Sequence, residues 1–396
     1  MVIHAERWQH LPQLLQVDRP HRMLALDGGG IRGLITLGIL EHFERLVLER
    51  TGKRLCDYFD YIAGTSTGAI IAAGLSRGMT VAELIDFYRS CGKEMFEPAF
   101  LIERVKYFYT ADPLKEKLQE VFGRQTNLGS KDLRCLLLVV TKNVTTDSPW
   151  PISSNPDAKY NDRSRKDCNL QIPLWQLVRA STAAPVYFPP EILQWDPGDK
   201  SRTFVFVDGG VTPHNNPAFL LYRMATNPAY QLNWKTGEQN LLIVSVGTGA
   251  AEILGATAAS PNKNIVSTVA GLPGELMYGI LVEQDINCRT IGRCTFGSRL
   301  DREILDLVPR AADADMTIDQ LYAAPPIPLT TDLGRHFLYT RYNANLSAGG
   351  LSGAGFANVN PANIQKMDAV ENMPTLLEIG RKAGGAVEAV HLGPFI

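Results

Sequence analysis

The sequence predicts an α/β fold built on a largely parallel sheet, and three observations carry that expectation. Short apolar runs alternate with longer stretches of helical periodicity. One run, LRCLLLVVTK (Leu133–Lys142), is almost continuously apolar, as a strand covered on both faces must be. Glycine-rich turns stand directly between predicted strands and predicted helices.

Taken in order, residues 1–20 read as a polar lead-in and Arg22 to Leu26 as a short strand. From Gly33 to Arg50, Leu34, Leu37, Leu40, Phe43 and Val47 share one face of a helix. YFDYIAG predicts a second strand ending near Ala63, and the small residues of Ala69–Leu75 suit a helix packed inside a core. Helices follow at Val81–Cys91 and Pro113–Phe122, then the Leu133–Lys142 strand. Residues 148–169, rich in Pro, Asn, Ser and Asp, read as a long loop. Pro173–Thr182 is a short helix, TFVFVDGG a strand, Asn216-Pro217 a helix start, and NLLIVSVGTG a further strand. Beyond residue 250 the pattern loosens into helical segments near 264–291 and 361–389, with a strand at HFLYTRYN. The expected division is 1–20, then a domain at 21–250, then a mostly helical extension at 251–396 packed on it.

Composition excludes several classes. The 396 residues are 45% apolar and 20% charged with a net charge of −2, so no global field recruits nucleic acid. Six scattered cysteines form no CxxC pair and no zinc-ligand spacing, which suits reduced thiols in a reducing compartment. No signal-like apolar region opens the chain, and no run approaches the ~18 apolar residues of a spanning helix. The expected setting is cytoplasmic, with any attachment to a membrane peripheral. The sequence is compatible with a homo-oligomer, and no cluster of acidic residues suggests a metal site.

Three motifs could carry chemistry. GTSTG, Gly64 to Gly68, matches GxSxG after a strand and before a helix. Chance would place on the order of 0.1 such matches in a chain this long. The pattern is that of a nucleophile elbow, which lifts the Ser66 hydroxyl clear of the backbone; an ordinary capped turn is the plain alternative. GGGIRG contains GxGxxG at Gly28, Gly30 and Gly33. It could hold a dinucleotide, with Glu49 on a ribose, or its amides at Gly28, Gly29 and Gly30 could hold an oxyanion. Arg32 would brace that loop or meet a phosphate. Asp208, in the DGG that ends TFVFVDGG, should emerge at the carboxyl edge of the sheet, where it could serve as a general base or merely cap a turn.

DGGGIRG, GTSTG and DGG, in that order, resemble the patatin-like phospholipases, a family that includes relatives of cytosolic phospholipase A2. RASTAAPVYFPP (Arg179–Pro190) resembles the stretch these proteins carry before the aspartate strand. The likeness covers roughly residues 22–250 and shows no departure at the motif positions. It implies a three-layer α/β/α fold and hydrolysis of acyl esters in phospholipids or other lipids, without metal or organic cofactor. It also implies a dyad of Ser66 as nucleophile and Asp208 as base, with Gly28, Gly29 and Gly30 as oxyanion hole. Bacterial members often carry a C-terminal extension, and some are switched on by a cyclic dinucleotide made during phage infection. The extension could contribute such a site.

Rivals remain at this level. A Ser66–Asp208–His336 order would suit a triad, and His214 follows Asp208 closely. A dinucleotide-binding oxidoreductase would use the GxGxxG. SCGK (Ser90–Lys93) spells SxxK by chance on a helix. RSRK (Arg163–Lys166) could meet lipid headgroups, and Met95–Tyr109 could form a lipid-facing lid, although a solvated loop and ordinary packing explain them as well.

Overall fold

The computed structural model describes residues 11–95, 112–185, 187–195, 198–251, 265–298 and 334–396, with Trp8 and a few isolated positions between 300 and 324. A single nine-stranded sheet organises them. Its strands are β1 (His21–Leu26), β2 (Tyr61–Thr65), β3 (Leu136–Asn143), β4 (Ser148–Ser153), β5 (Glu191–Gln194), β6 (Thr203–Asp208), β7 (Leu241–Val246), β8 (Arg293–Phe296) and β9 (Leu338–Tyr342). The order is β5-β6-β3-β2-β1-β7-β9-β8, with β4 also paired to β3. From β3 to β8 along this order every pairing is parallel. β4 and β6 run antiparallel to β3.

Alternation along the strands creates two cores. Leu24 and Leu26 of β1 face one side, with Ile62, Leu137, Val139, Leu242 and Val244. Against them pack α1 (Gly33–Thr51), α2 (Leu55–Tyr58), α3 (Thr67–Ser76), α4 (Val81–Met95), α5 (Asp112–Phe122), α6 (Leu174–Ser181) and the C-terminal helix Met373–Gly384. Met23 and Ala25 face the other side, with Tyr61, Ala63, Leu136, Leu138, Val140 and Ile243. There α7 (Ala218–Thr226), Cys288 of α8 (Ile265–Ile291) and the lead-in residues Trp8, Leu11 and Leu14 cover them. The result is helices on both faces of one sheet.

Besides the short β5, which has no counterpart in the sequence reading, two regions differ from it. The stretch read as a loop from residue 148 begins with β4, despite Pro149 and Pro151. Those prolines sit two apart, opposite Lys142 and Val140, so their missing N–H groups fall on the same strand edge, which an outer strand tolerates. The segment past residue 250, expected as a mostly helical extension laid on the core, instead supplies β8 and β9 to the sheet itself. β7 is buried along its whole length, and β9 supplies the pairing its open side requires.

The pairings on β3 decide where the functional groups meet. Thr65, the last residue of β2, lies opposite Val140. Asp208, the last residue of β6, lies opposite Thr141. β4 occupies the other side of β3 at both positions, so β2 and β6 share one side and meet tip to tip. All six cysteines are free thiols. Among the described residues no helix is long and apolar enough to cross a membrane.

Candidate active site

Ser66 occupies the turn between β2 and α3 with φ 54° and ψ −124°, a region costly for any residue with a side chain. The flanking glycines explain why the turn can be so tight. A Cβ on Gly64 would lie 2.1 Å from the Gly68 carbonyl oxygen, and one on Gly68 would lie 2.3 Å from that of Leu26. The elbow therefore forms only with bare backbone at both positions, and it leaves the Ser66 hydroxyl facing outward.

Ser66 Oγ donates to Asp208 Oδ2 at 2.6 Å. Asp208 is 5% exposed, and its other oxygen accepts the Gly210 amide at 2.6 Å. Burial pushes its carboxyl up to about 6, opposed by the bonds from Ser66 and Gly210 and by the charge of Arg179. A carboxylate so tuned is still mostly ionised at neutral pH, yet is a stronger base than an exposed one. The aspartate arrives on an antiparallel strand, and it reaches the carboxyl edge of the parallel strands because β6 enters from beyond that edge.

The glycine loop after β1 packs beside the elbow. Gly30 has φ +61°, a conformation glycine adopts freely. The Gly28 amide donates to the Asn215 carbonyl at 3.2 Å, and Thr248 Oγ1 donates to the Gly28 carbonyl at 2.9 Å. Gly29 and Gly30 line the cavity next to Ser66. Arg32 is half-buried and braces the loop, its Nε 3.3 Å from the Gly29 carbonyl and a terminal nitrogen 3.4 Å from that of Gly249. Burial lowers Arg32 to about 10, which leaves it cationic at neutral pH.

Asp27, just before the loop, is buried against Arg341 of β9 with contacts of 2.6 and 3.2 Å. Ser245 accepts a further bond from that guanidinium at 2.6 Å, and Asp285 of α8 lies 3.6 Å from its Nε. Burial pushes the Asp27 carboxyl up while Arg341 opposes the shift. The C-terminal third thus anchors the loop through a desolvated ion pair.

A cavity of about 380 Å³ opens at Ser66 and Asp208. Ile70, Leu114, Pro185, Tyr187, Phe188, Val211 and Met367 give it an apolar wall suited to a hydrocarbon chain. Sequence reasoning did not find these residues as a wall, because it is assembled from α3, α5, the segment after α6, the turn after β6 and the C-terminal third. No single stretch carries its signal.

Comparison with known proteins bears on the same residues. The family model described as patatin-like phospholipase matches residues 24–222. The chain belongs to that family. A cGAMP-activated phospholipase of Vibrio cholerae is 29% identical over 340 residues, covering 79% of this chain and 89% of the relative. Patatin-17 of Solanum cardiophyllum is 34% identical over 251 residues, 57% of this chain and 60% of its own length. Among solved structures, human GIVD cytosolic phospholipase A2 aligns with 96% of this chain and 62% of its own, at 13% identity and TM-score 0.45.

In this patatin-like phospholipase neither His336 nor His214, the two histidines that could have completed a triad, has its ring bonded to Asp208. His336 precedes β9, at the opposite end of the parallel strands from Ser66, and its Nδ1 meets the Tyr222 hydroxyl at 2.6 Å. His214 is closer, but burial pushes it down to about 4 and its carbonyl, not its ring, is tied to the site through Thr65 Oγ1 at 2.8 Å. Glu49 cannot serve a ribose at the glycine loop. It lies near the far end of α1, roughly 24 Å along the helix from Gly33 at ~1.5 Å per residue. Ser90 is exposed on α4 and donates to the Phe87 carbonyl, away from the cavity. In the basic run, Arg163 meets the Gly129 carbonyl and Arg165 pairs with Asp167. Of the lid candidate Met95–Tyr109, residues 96–109 lie outside the described residues.

Proposed function

We propose that this chain hydrolyses acyl esters of lipids, with Ser66 as nucleophile and Asp208 as general base. The observation that carries the reading is the 2.6 Å contact between their side chains at the mouth of an apolar cavity. Ser66 Oγ attacks the ester carbonyl while its proton passes to Asp208. The tetrahedral oxyanion is held by the glycine loop, of which Gly29 and Gly30 border the cavity, whereas the Gly28 amide is engaged by the Asn215 carbonyl. Collapse breaks the ester C–O bond, and Asp208 returns the proton to the leaving alcohol. Water then attacks the acyl-enzyme by the same route and releases the fatty acid. The chemistry requires no metal or organic cofactor.

The test is fatty-acid release from phosphatidylcholine in mixed micelles, with and without a fluorophosphonate that labels activated serines. Release that is abolished by the label supports the reading; release unaffected by complete labelling removes it. The pH dependence is a sharper check. Asp208 must be deprotonated to act, and its carboxyl is raised to about 6. We therefore expect kcat/KM to climb through about pH 6 and level off above it, where an exposed aspartate would level off near ~4.

A second reading, that a cyclic dinucleotide switches the hydrolase on, is favoured by one observation. The likeness to the Vibrio relative covers 79% of this chain and so extends far outside residues 24–222. Adding cGAMP to the micelle assay distinguishes a gated from an ungated enzyme.

A further inference from the structure

The hydrogen bonding around the elbow assigns Ser181 a role that its chemistry as a buried serine would not suggest. We propose that Ser181 is a positioning residue: its hydroxyl holds the Ser66 main chain in the turn from which Oγ reaches Asp208. The inference rests on the dyad reading above.

Ser181 is the last residue of α6 and is completely buried. Its Oγ donates to the Val140 carbonyl at 2.7 Å. A hydroxyl has one hydrogen, so this bond fixes its direction and leaves only lone pairs for other partners. One of those accepts the Ser66 amide at 2.9 Å. Val140 is the β3 residue opposite the end of β2, so the hydroxyl ties the elbow to the strand beside it.

Two residues further on, the Ala183 carbonyl accepts the Asp208 amide at 2.9 Å. A single turn of chain thereby pins the main chain on both sides of the gap between β2 and β6. Ser66 is held in a backbone conformation that persists only where its surroundings over-determine it. The Ser181 bond is the side-chain part of that determination. It also engages the amide of the nucleophile itself, which directs oxyanion binding to the glycine loop.

The test compares wild type, Ser181→Ala and Ser181→Thr in the micelle assay and in the rate of fluorophosphonate labelling. Misplacing a reacting atom by about 1 Å costs on the order of 10²-fold. We expect kcat and the labelling rate of Ser181→Ala to fall together by roughly 10- to 100-fold with KM unchanged. Ser181→Thr, which keeps the hydroxyl, is expected to recover most of the loss. Ser181→Ala with kcat and labelling at the wild-type level overturns the inference, as does a loss seen only in KM or one that Ser181→Thr shares in full. Should Ser181→Ala fail to fold, Ser181→Cys, close in size but a much weaker hydrogen-bonding group, carries the same comparison. Failure of the dyad reading looks different: wild type itself would then show no serine-dependent release.

Discussion

Replacing Asp208 by Asn is expected to abolish hydrolysis while making the protein harder to unfold. The Asn side chain keeps an oxygen for the Gly210 amide but cannot take a proton from Ser66. Losses when a nucleophile or its base is removed run from roughly 10³- to 10⁶-fold in kcat, and Ser66→Ala should fall in the same range. Because the two residues act as one unit, the double variant should lose little more than either single one. The stability side follows from the sign of the pKa shift. Asp208 is raised in the folded state, so its contribution favours folding at acid pH and is lost as pH rises through about 6. At pH 8 the buried carboxylate costs on the order of 2–3 kcal/mol relative to its protonated form, a cost the Asn variant does not carry. Urea unfolding at pH 8 measures it. A midpoint well below wild type would show that Asp208 stabilises the fold, contrary to this account.

Arg341→Met should have the largest effect on stability among side chains near the site. It leaves Asp27, which is 0% exposed, without the guanidinium that contacts both its oxygens, and Asp285 loses a neighbour as well. Removing one partner of a buried pair typically destabilises by about 3–5 kcal/mol, because the remaining charge is left desolvated without its paired counter-charge. The expected result is a clear fall in the urea midpoint, with activity reduced even below the transition since Asp27 directly precedes the glycine loop. The double variant Asp27→Leu/Arg341→Met separates the causes. If the penalty is the orphaned charge, the double variant recovers much of it; if it is lost volume, the double variant is worse still.

How far the sequence disclosed all this depends on the element. Ser66, Asp208 and the glycines stand in contiguous motifs whose residue types follow from local geometry, so their positions could be read directly. The alternation of apolar strands and amphipathic helices likewise predicted a largely parallel sheet, and the motif resemblance added helices on both of its faces. β4 was hidden because prolines usually mark a loop, and only its place on one side of β3 makes them harmless. The role of the C-terminal third was hidden because β8 is four residues long and β9 carries an arginine, Arg341. That charge is explained by Asp27, 314 positions earlier, and by Asp285 of α8. The cavity wall and the Ser181 bond are products of packing between distant segments, and no local pattern announces them.

The meeting of β2 and β6 along one side of β3 has a consequence for how such a chain can diversify. The gap between the Ser66 and Asp208 side chains is gauged by two neighbouring rungs, Val140 and Thr141, rather than by the covalent path joining residues 66 and 208. Insertions or deletions in the surface connections of that path would leave the gauge untouched. Loops on that path can therefore change length without altering the spacing of the two side chains.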